Sequence, residues 1–175
     1  GSWPQVVPVV VDALHQIMEA RIKLYETGIP PGAASDANAI YFLTSSNVWN
    51  LKGADAAKQQ AQRFRTVQLM SDLMGSIKQR LAAANPVQRD EMYEALKRVA
   101  SGFSVISEEL AKDENVKKLY QMTKTTDPNV VIGMCDSVFA AVKKIPEFSK
   151  ITPPAPLSAI PAATTGEASP PTTAP

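Results

Sequence analysis

Between Ala54 and Ala84 apolar residues recur at steps of three or four: Ala57, Ala61, Phe64, Val67, Met70, Met74, Ile77, Leu81 and Ala84. That spacing places them on one face of an α-helix. Leu69 and Leu73 widen the stripe, which suits a helix packed against several neighbours better than a two-stranded coiled coil. With no proline inside it, the predicted helix is on the order of 45 Å long. Asn85-Pro86-Val87-Gln88 follows at once. Asn as N-cap, Pro at the first position and Gln at the third resemble a capping box. So short a connection folds the next helix back into an antiparallel hairpin. The partner stripe is Met92, Tyr93, Leu96, Val99, Ala100, Phe103, Ile106 and Leu110, with Gly102 marking a kink or the close approach of another backbone.

The same periodicity predicts helices on either side. Val10, Ala13, Leu14, Ile17, Met18, Ile22 and Tyr25 form a stripe that starts with Pro8 in a first turn, while His15, Gln16, Glu19, Arg21 and Lys23 fall mostly off it. Gly28 and Pro30-Pro31 stop this helix. Ser35 or Asp36 caps a second one over 37–50, weakened at Thr44-Ser45-Ser46-Asn47, whose side chains compete for backbone hydrogen bonds. Asp113 caps a helix over 114–122. Asp127-Pro128 opens another over 129–144, with Val131, Met134, Cys135, Val138, Ala141, Val142 and Ile145 inward; Phe148 and Ile151 tuck back onto the bundle. No alternation of strand period and no internal repeat stands out.

After Thr152 the pattern ends. Seven of the fourteen prolines lie there among alanine, threonine and serine, with Glu167 the only charge. Such composition lacks the apolar surface to fold, and 152–175 is expected to be a disordered linker or tail. The expected architecture is an all-α bundle of five or six helices over 1–151, built around the hairpin 54–110.

Charge narrows the function little. Lys plus Arg is 18 against 17 for Asp plus Glu, a net charge of +1, so there is no global pull toward nucleic acid or an anionic surface. One cysteine forbids an intrachain disulfide; its apolar flanks read as a buried small hydrophobe, and a cysteine-poor chain slightly favours an intracellular, reducing compartment without excluding secretion. No run of eighteen apolar residues is present, so no transmembrane helix is expected. Gly1-Ser2 reads as a remnant of tag cleavage, which leaves further domains and a leader open.

Candidate chemistry is sparse. A single His and a single Cys do not make the usual zinc sites, Glu-x-x-His pairs for a di-iron bundle are absent, and no glycine-rich phosphate loop occurs. No cofactor or metal is expected. The carboxylates Asp90, Glu91, Glu94, Glu108 and Glu109 read as solvated ion-pair partners on helix surfaces. An enzyme of unfamiliar type would need a deep pocket with Tyr41, Tyr93 or Tyr120 beside a carboxylate. Arg63, Arg65, Lys78 and Arg80 on the long helix, with Arg89, Lys97 and Arg98 on its partner, are candidate nucleic-acid or partner contacts if they form one basic strip. Acidic residues share those segments and no aromatics interleave for base stacking, which counts against nucleic acid. The sequence therefore favours a non-enzymatic protein-interaction or assembly module, recognising a partner or a second copy through a helix face or groove. A nucleic-acid-binding domain is the alternative.

Overall fold

The computed structural model describes residues 3–51 and 53–160, with side chains from Val6 onward. Eight helices and no strand occur among the described residues: α1 (Trp3–Lys23), α2 (Ala33–Phe42), α3 (Ser46–Trp49), α4 (Ala56–Arg80), α5 (Pro86–Ile106), α6 (Glu108–Lys112), α7 (Glu114–Gln121) and α8 (Pro128–Lys143). The all-α bundle is as the periodicity predicts. Single 3-10 turns follow α1 and α4 and precede the C-terminal segment.

Capping fixes where the two long central helices begin. Asp55 accepts from the backbone N–H of Lys58 at 2.8 Å and opens α4. Asn85 and Gln88 form both halves of a capping box, at 2.8 and 2.9 Å, and open α5 with Pro86 in its first turn. On α4 the expected stripe is buried from Val67 to Leu81, whereas Ala57 and Ala61 are exposed because the first turns stand clear of the core. From Thr66 to Arg80 the burial extends round the helix and takes in Thr66, Ser71, Ser76 and Arg80. α4 contacts α1, α2, α5 and α8; α5 packs most extensively on α2 and α7. Gly102 lies inside unbroken α5, where a Cβ would come within 2.7 Å of Met70 Cε, so it marks the close approach of a side chain, neither a kink nor another backbone. Ser107 then caps α6, dividing the helix expected through Leu110.

Two further elements differ from the sequence reading. α1 begins at Trp3, with Pro8 inside it. Its buried side is Val7, Val11, His15 and Met18, while Val10, Ala13 and Ile17 face outward. α1 has two neighbouring apolar stripes, and the one that packs is the one α4 can pair with. His15 Nε2 meets Thr66 Oγ1 at 2.9 Å, and Arg65 holds Asp12 and Glu19. α2 starts four residues early. Gly32 adopts φ 95°, a conformation that favours glycine, and the N–H groups of Gly32 and Ala33 donate to Glu91 Oε1 of α5 at 2.7 and 2.8 Å. The cap thus comes from another helix. Asp36 is instead buried against Arg21, whose Nε donates to it at 3.0 Å. The expected weak point over 44–47 does interrupt the helix, between α2 and α3. α7 and α8 start at their predicted caps, Asp113 and Asp127, and Cys135, Phe148 and Ile151 are buried.

The proline-rich segment divides. Residues 152–160 form neither helix nor strand and lie against α4; 161–175, the rest of the expected tail, fall outside the described residues.

Candidate functional site

α4 presents a row of short or amide side chains on the side its helical neighbours leave open. Gln68, Asp72, Gly75 and Gln79 follow one another at steps of four, three and four, and so share one face. A hydrophobic helix face packs by excluding water; this face works by donating and accepting hydrogen bonds. The Gln68 amide pairs in both directions with one residue: Nε2 donates to the Thr152 carbonyl at 2.9 Å, and Oε1 accepts from the Thr152 N–H at 3.1 Å. Three turns on, Gln79 does the same across two residues. Its Nε2 donates to the Ala155 carbonyl at 3.1 Å and its Oε1 accepts from the Leu157 N–H at 2.6 Å. Arg80 Nη1 closes the row on the Ser158 carbonyl at 2.7 Å.

Between the two glutamines Pro154 sits over Gly75. A Cβ at position 75 would lie 2.0 Å from Pro154 Cγ, so only glycine admits the ring. From Gln68 to Arg80 the helix rises about 18 Å. The six steps from Thr152 to Ser158 cover that span at about 3 Å each, the rise of an extended polyproline-like chain. The glutamines take the backbone polar groups, the glycine takes a proline ring, and Leu157 is half-buried against the core. We call this segment the strap.

The valley around the strap has two flanks. Toward α8 lies a cavity of about 250 Å³ bordered by Met74, Lys78, Cys135 and Phe139. Toward α1 lies one of about 410 Å³ bordered by Glu19, Ile22, Lys23 and Ser76. Lys78 pairs with Asp136 on the first flank. Burial pushes the Asp72 carboxyl above its ordinary range, against the hydrogen bond from Gln68 Nε2 at 2.9 Å. Burial also pushes the Cys135 thiol up to about 12, so the sulfur is a packing group rather than a nucleophile.

A third cavity, of about 570 Å³, opens between α1 and the start of α4, bordered by Pro8, Val11, His15, Leu51, Lys58 and Gln62. His15 is only 1% exposed and is held at both nitrogens, Nδ1 against the Val11 carbonyl and Nε2 against Thr66. Burial depresses its pKa, and the positive Arg65 nearby adds to this. Arg65 in turn holds the Asp12 and Glu19 carboxyls below their usual range. The polar groups at this cavity are thus directed mainly at one another.

The cationic residues singled out from the sequence are dispersed. Arg63 donates to the Trp49 carbonyl and Asn50 Oδ1, with its guanidinium 5.2 Å from the Trp49 ring centre. Arg65 faces α1, Lys78 faces α8, and Arg80, 3% exposed, donates inward to the Tyr25 and Glu26 carbonyls as well as to the strap. These four do not share one exposed face. On α5, Arg89 and Lys97 are half-buried and Arg98 lies over the Tyr41 ring at 5.0 Å. Of the tyrosines, Tyr93 donates to the Thr126 carbonyl and Tyr120 is exposed; neither they nor Tyr41 borders the cavities described above.

The residues that make the groove, Gln68, Gly75 and Gln79, are absent from any apolar stripe, which is why hydrophobic periodicity passes over them. A glycine inside a long helix, with glutamines seven residues before and four after it, was the available signal. No protein-family model matches the chain, nor does a curated protein or a solved structure. No helix among the described residues is long and apolar enough to cross a membrane.

Proposed function

We propose that this chain is a non-enzymatic protein-interaction module whose working surface is the α4 groove, and that its ligands are extended, proline-containing chain segments. One observation carries the reading. Gln68 and Gln79 pair with the backbone of a segment distant in sequence, on either side of a glycine that receives a proline ring. Backbone hydrogen bonding supplies affinity that does not depend on sequence, and a pocket for one side chain supplies selectivity. Proline-rich ligands suit such a groove because little conformational freedom remains for them to lose on binding.

The test uses the full chain with Pro154→Ser and Leu157→Ser, which loosen the strap and leave the groove residues untouched. A labelled peptide spanning Thr152–Ser158 is titrated in and followed by fluorescence anisotropy, beside a scrambled peptide. Saturable binding of the first alone is expected. Equal binding of the two peptides, or none, would sink the proposal.

A further inference from the structure

The strap's contacts define what any occupant of the groove must offer. The first residue needs a free N–H and carbonyl for Gln68, so it is not proline. The third must be proline, over Gly75. The fourth gives a carbonyl and the sixth an N–H to Gln79, so the sixth is again not proline; it is also apolar, as Leu157 is. The seventh gives a carbonyl to Arg80. Thr-Pro-Pro-Ala-Pro-Leu-Ser over 152–158 meets every condition.

The chain contains two other Pro-Pro pairs. Pro30-Pro31 leads directly into α2, where the residues that would follow in the groove are already helical. The other is Ser169-Pro170-Pro171-Thr172-Thr173-Ala174-Pro175. In the strap's register Ser169 replaces Thr152, Pro171 replaces Pro154, Thr172 offers the carbonyl, Ala174 offers both N–H and a small apolar side chain, and Pro175 offers the last carbonyl. No charged side chain falls in either segment.

We infer that the α4 groove of one copy takes Ser169–Pro175 of a second copy, in exchange for its own strap, so that the chain self-associates tail to groove. This rests on the groove reading proposed above. A tail-to-groove contact is heterologous, since each copy has one donor and one acceptor, and it therefore permits chains as well as closed pairs.

Two measurements test it. In the first, the strap-loosened full chain is titrated with a Ser169–Pro175 peptide beside the Thr152–Ser158 peptide. Both should saturate, the Ser169 peptide more weakly because Ala174 buries less than Leu157, and Gly75→Ala in the chain should weaken each by about tenfold or more. In the second, the strap-loosened full chain, whose own strap no longer competes at high local concentration, is followed by sedimentation velocity over rising concentration. Association is expected, and is lost on Pro171→Gly in the tail. If the Thr152 peptide binds and the Ser169 peptide does not, the second-copy assignment falls and the groove reading stands. The same holds if the strap-loosened chain stays monomeric at every concentration. If neither peptide binds, both fall. Should the loosened chain fail to fold, the peptides are added to unaltered chain labelled at glutamine, where strap displacement moves the Gln68 and Gln79 side-chain amide resonances and unmoved resonances overturn the exchange.

Discussion

Gly75→Ala sets two opposed effects against each other. Glycine inside a helix costs about 1 kcal/mol relative to alanine, so on α4 alone the substitution is stabilising. The new methyl, however, would lie 2.0 Å from Pro154 Cγ and 2.9 Å from Cδ. Carbon atoms rest at about 3.5–4.0 Å, and a proline ring has no rotamer by which to retreat. The helix is fixed by its neighbours, so the strap leaves. Five hydrogen bonds to its backbone go with it: two to Gln68, two to Gln79 and one to Arg80. At about 1 kcal/mol net for each, their loss costs roughly 5 kcal/mol. The four freed residues that are not proline recover roughly 4 kcal/mol of backbone entropy. With the helix gain added, the global change is within about 2 kcal/mol of zero. Melting alone therefore cannot decide the matter, but hydrogen exchange can. Protection of the Leu157 and Thr152 amides should collapse while the amides of α4 keep theirs. The companion variant reverses the sign: with Pro154→Gly the ring is gone, and adding Gly75→Ala should then stabilise by about 1 kcal/mol. A Leu157 amide that stays protected in Gly75→Ala would refute the steric argument.

Other consequences are simpler to read. Burial depresses the His15 pKa from its ordinary 6.5, so the unfolded chain binds the proton first as pH falls. Stability is therefore complete above that value and is lost as pH drops from it toward the folded pKa, by at most about 1.4 kcal/mol per pH unit; urea unfolding from pH 7.5 to 5 should show this slope, and His15→Gln should flatten it. Arg80→Met leaves the Tyr25, Glu26 and Ser158 carbonyls without their donor and should destabilise by about 3 kcal/mol in the same assay. Asn85→Ala removes half of the capping box and should cost about 1 kcal/mol, a stability unchanged by it showing that the turn is held by packing alone.

Local signals read well from the sequence where one residue type had one physical use. Asn85-Pro86-Val87-Gln88 starts a helix because its two side chains satisfy backbone groups within reach, and Asp113 and Asp127 act in the same local way. The helix expected to weaken at Thr44-Ser45-Ser46-Asn47 does break there, whereas the break at Ser107 falls inside a helix the periodicity runs through to Leu110. What was not legible depended on a partner far along the chain. The α2 cap is Glu91, some sixty residues distant, so the local candidates Ser35 and Asp36 were the wrong choice. α1 offered two apolar stripes of similar quality, and the burial of His15 was decided by Thr66 on α4. The groove was least visible of all, because glutamine and glycine have no periodic preference. Their role exists only once an extended segment lies across them.

Ile151 is fully buried immediately before the strap begins. The strap therefore cannot diffuse away when it lets go; its first residue stays beside Gln68. Short tethers of this kind hold a ligand at a local concentration on the order of millimolar. Any outside segment of equal intrinsic affinity has to reach that concentration before it occupies half the grooves. Isolated segments in dilute solution would leave the groove closed, and crowded arrays of them would open it. If the groove takes ligands as proposed, a buried isoleucine would set the threshold at which this surface responds.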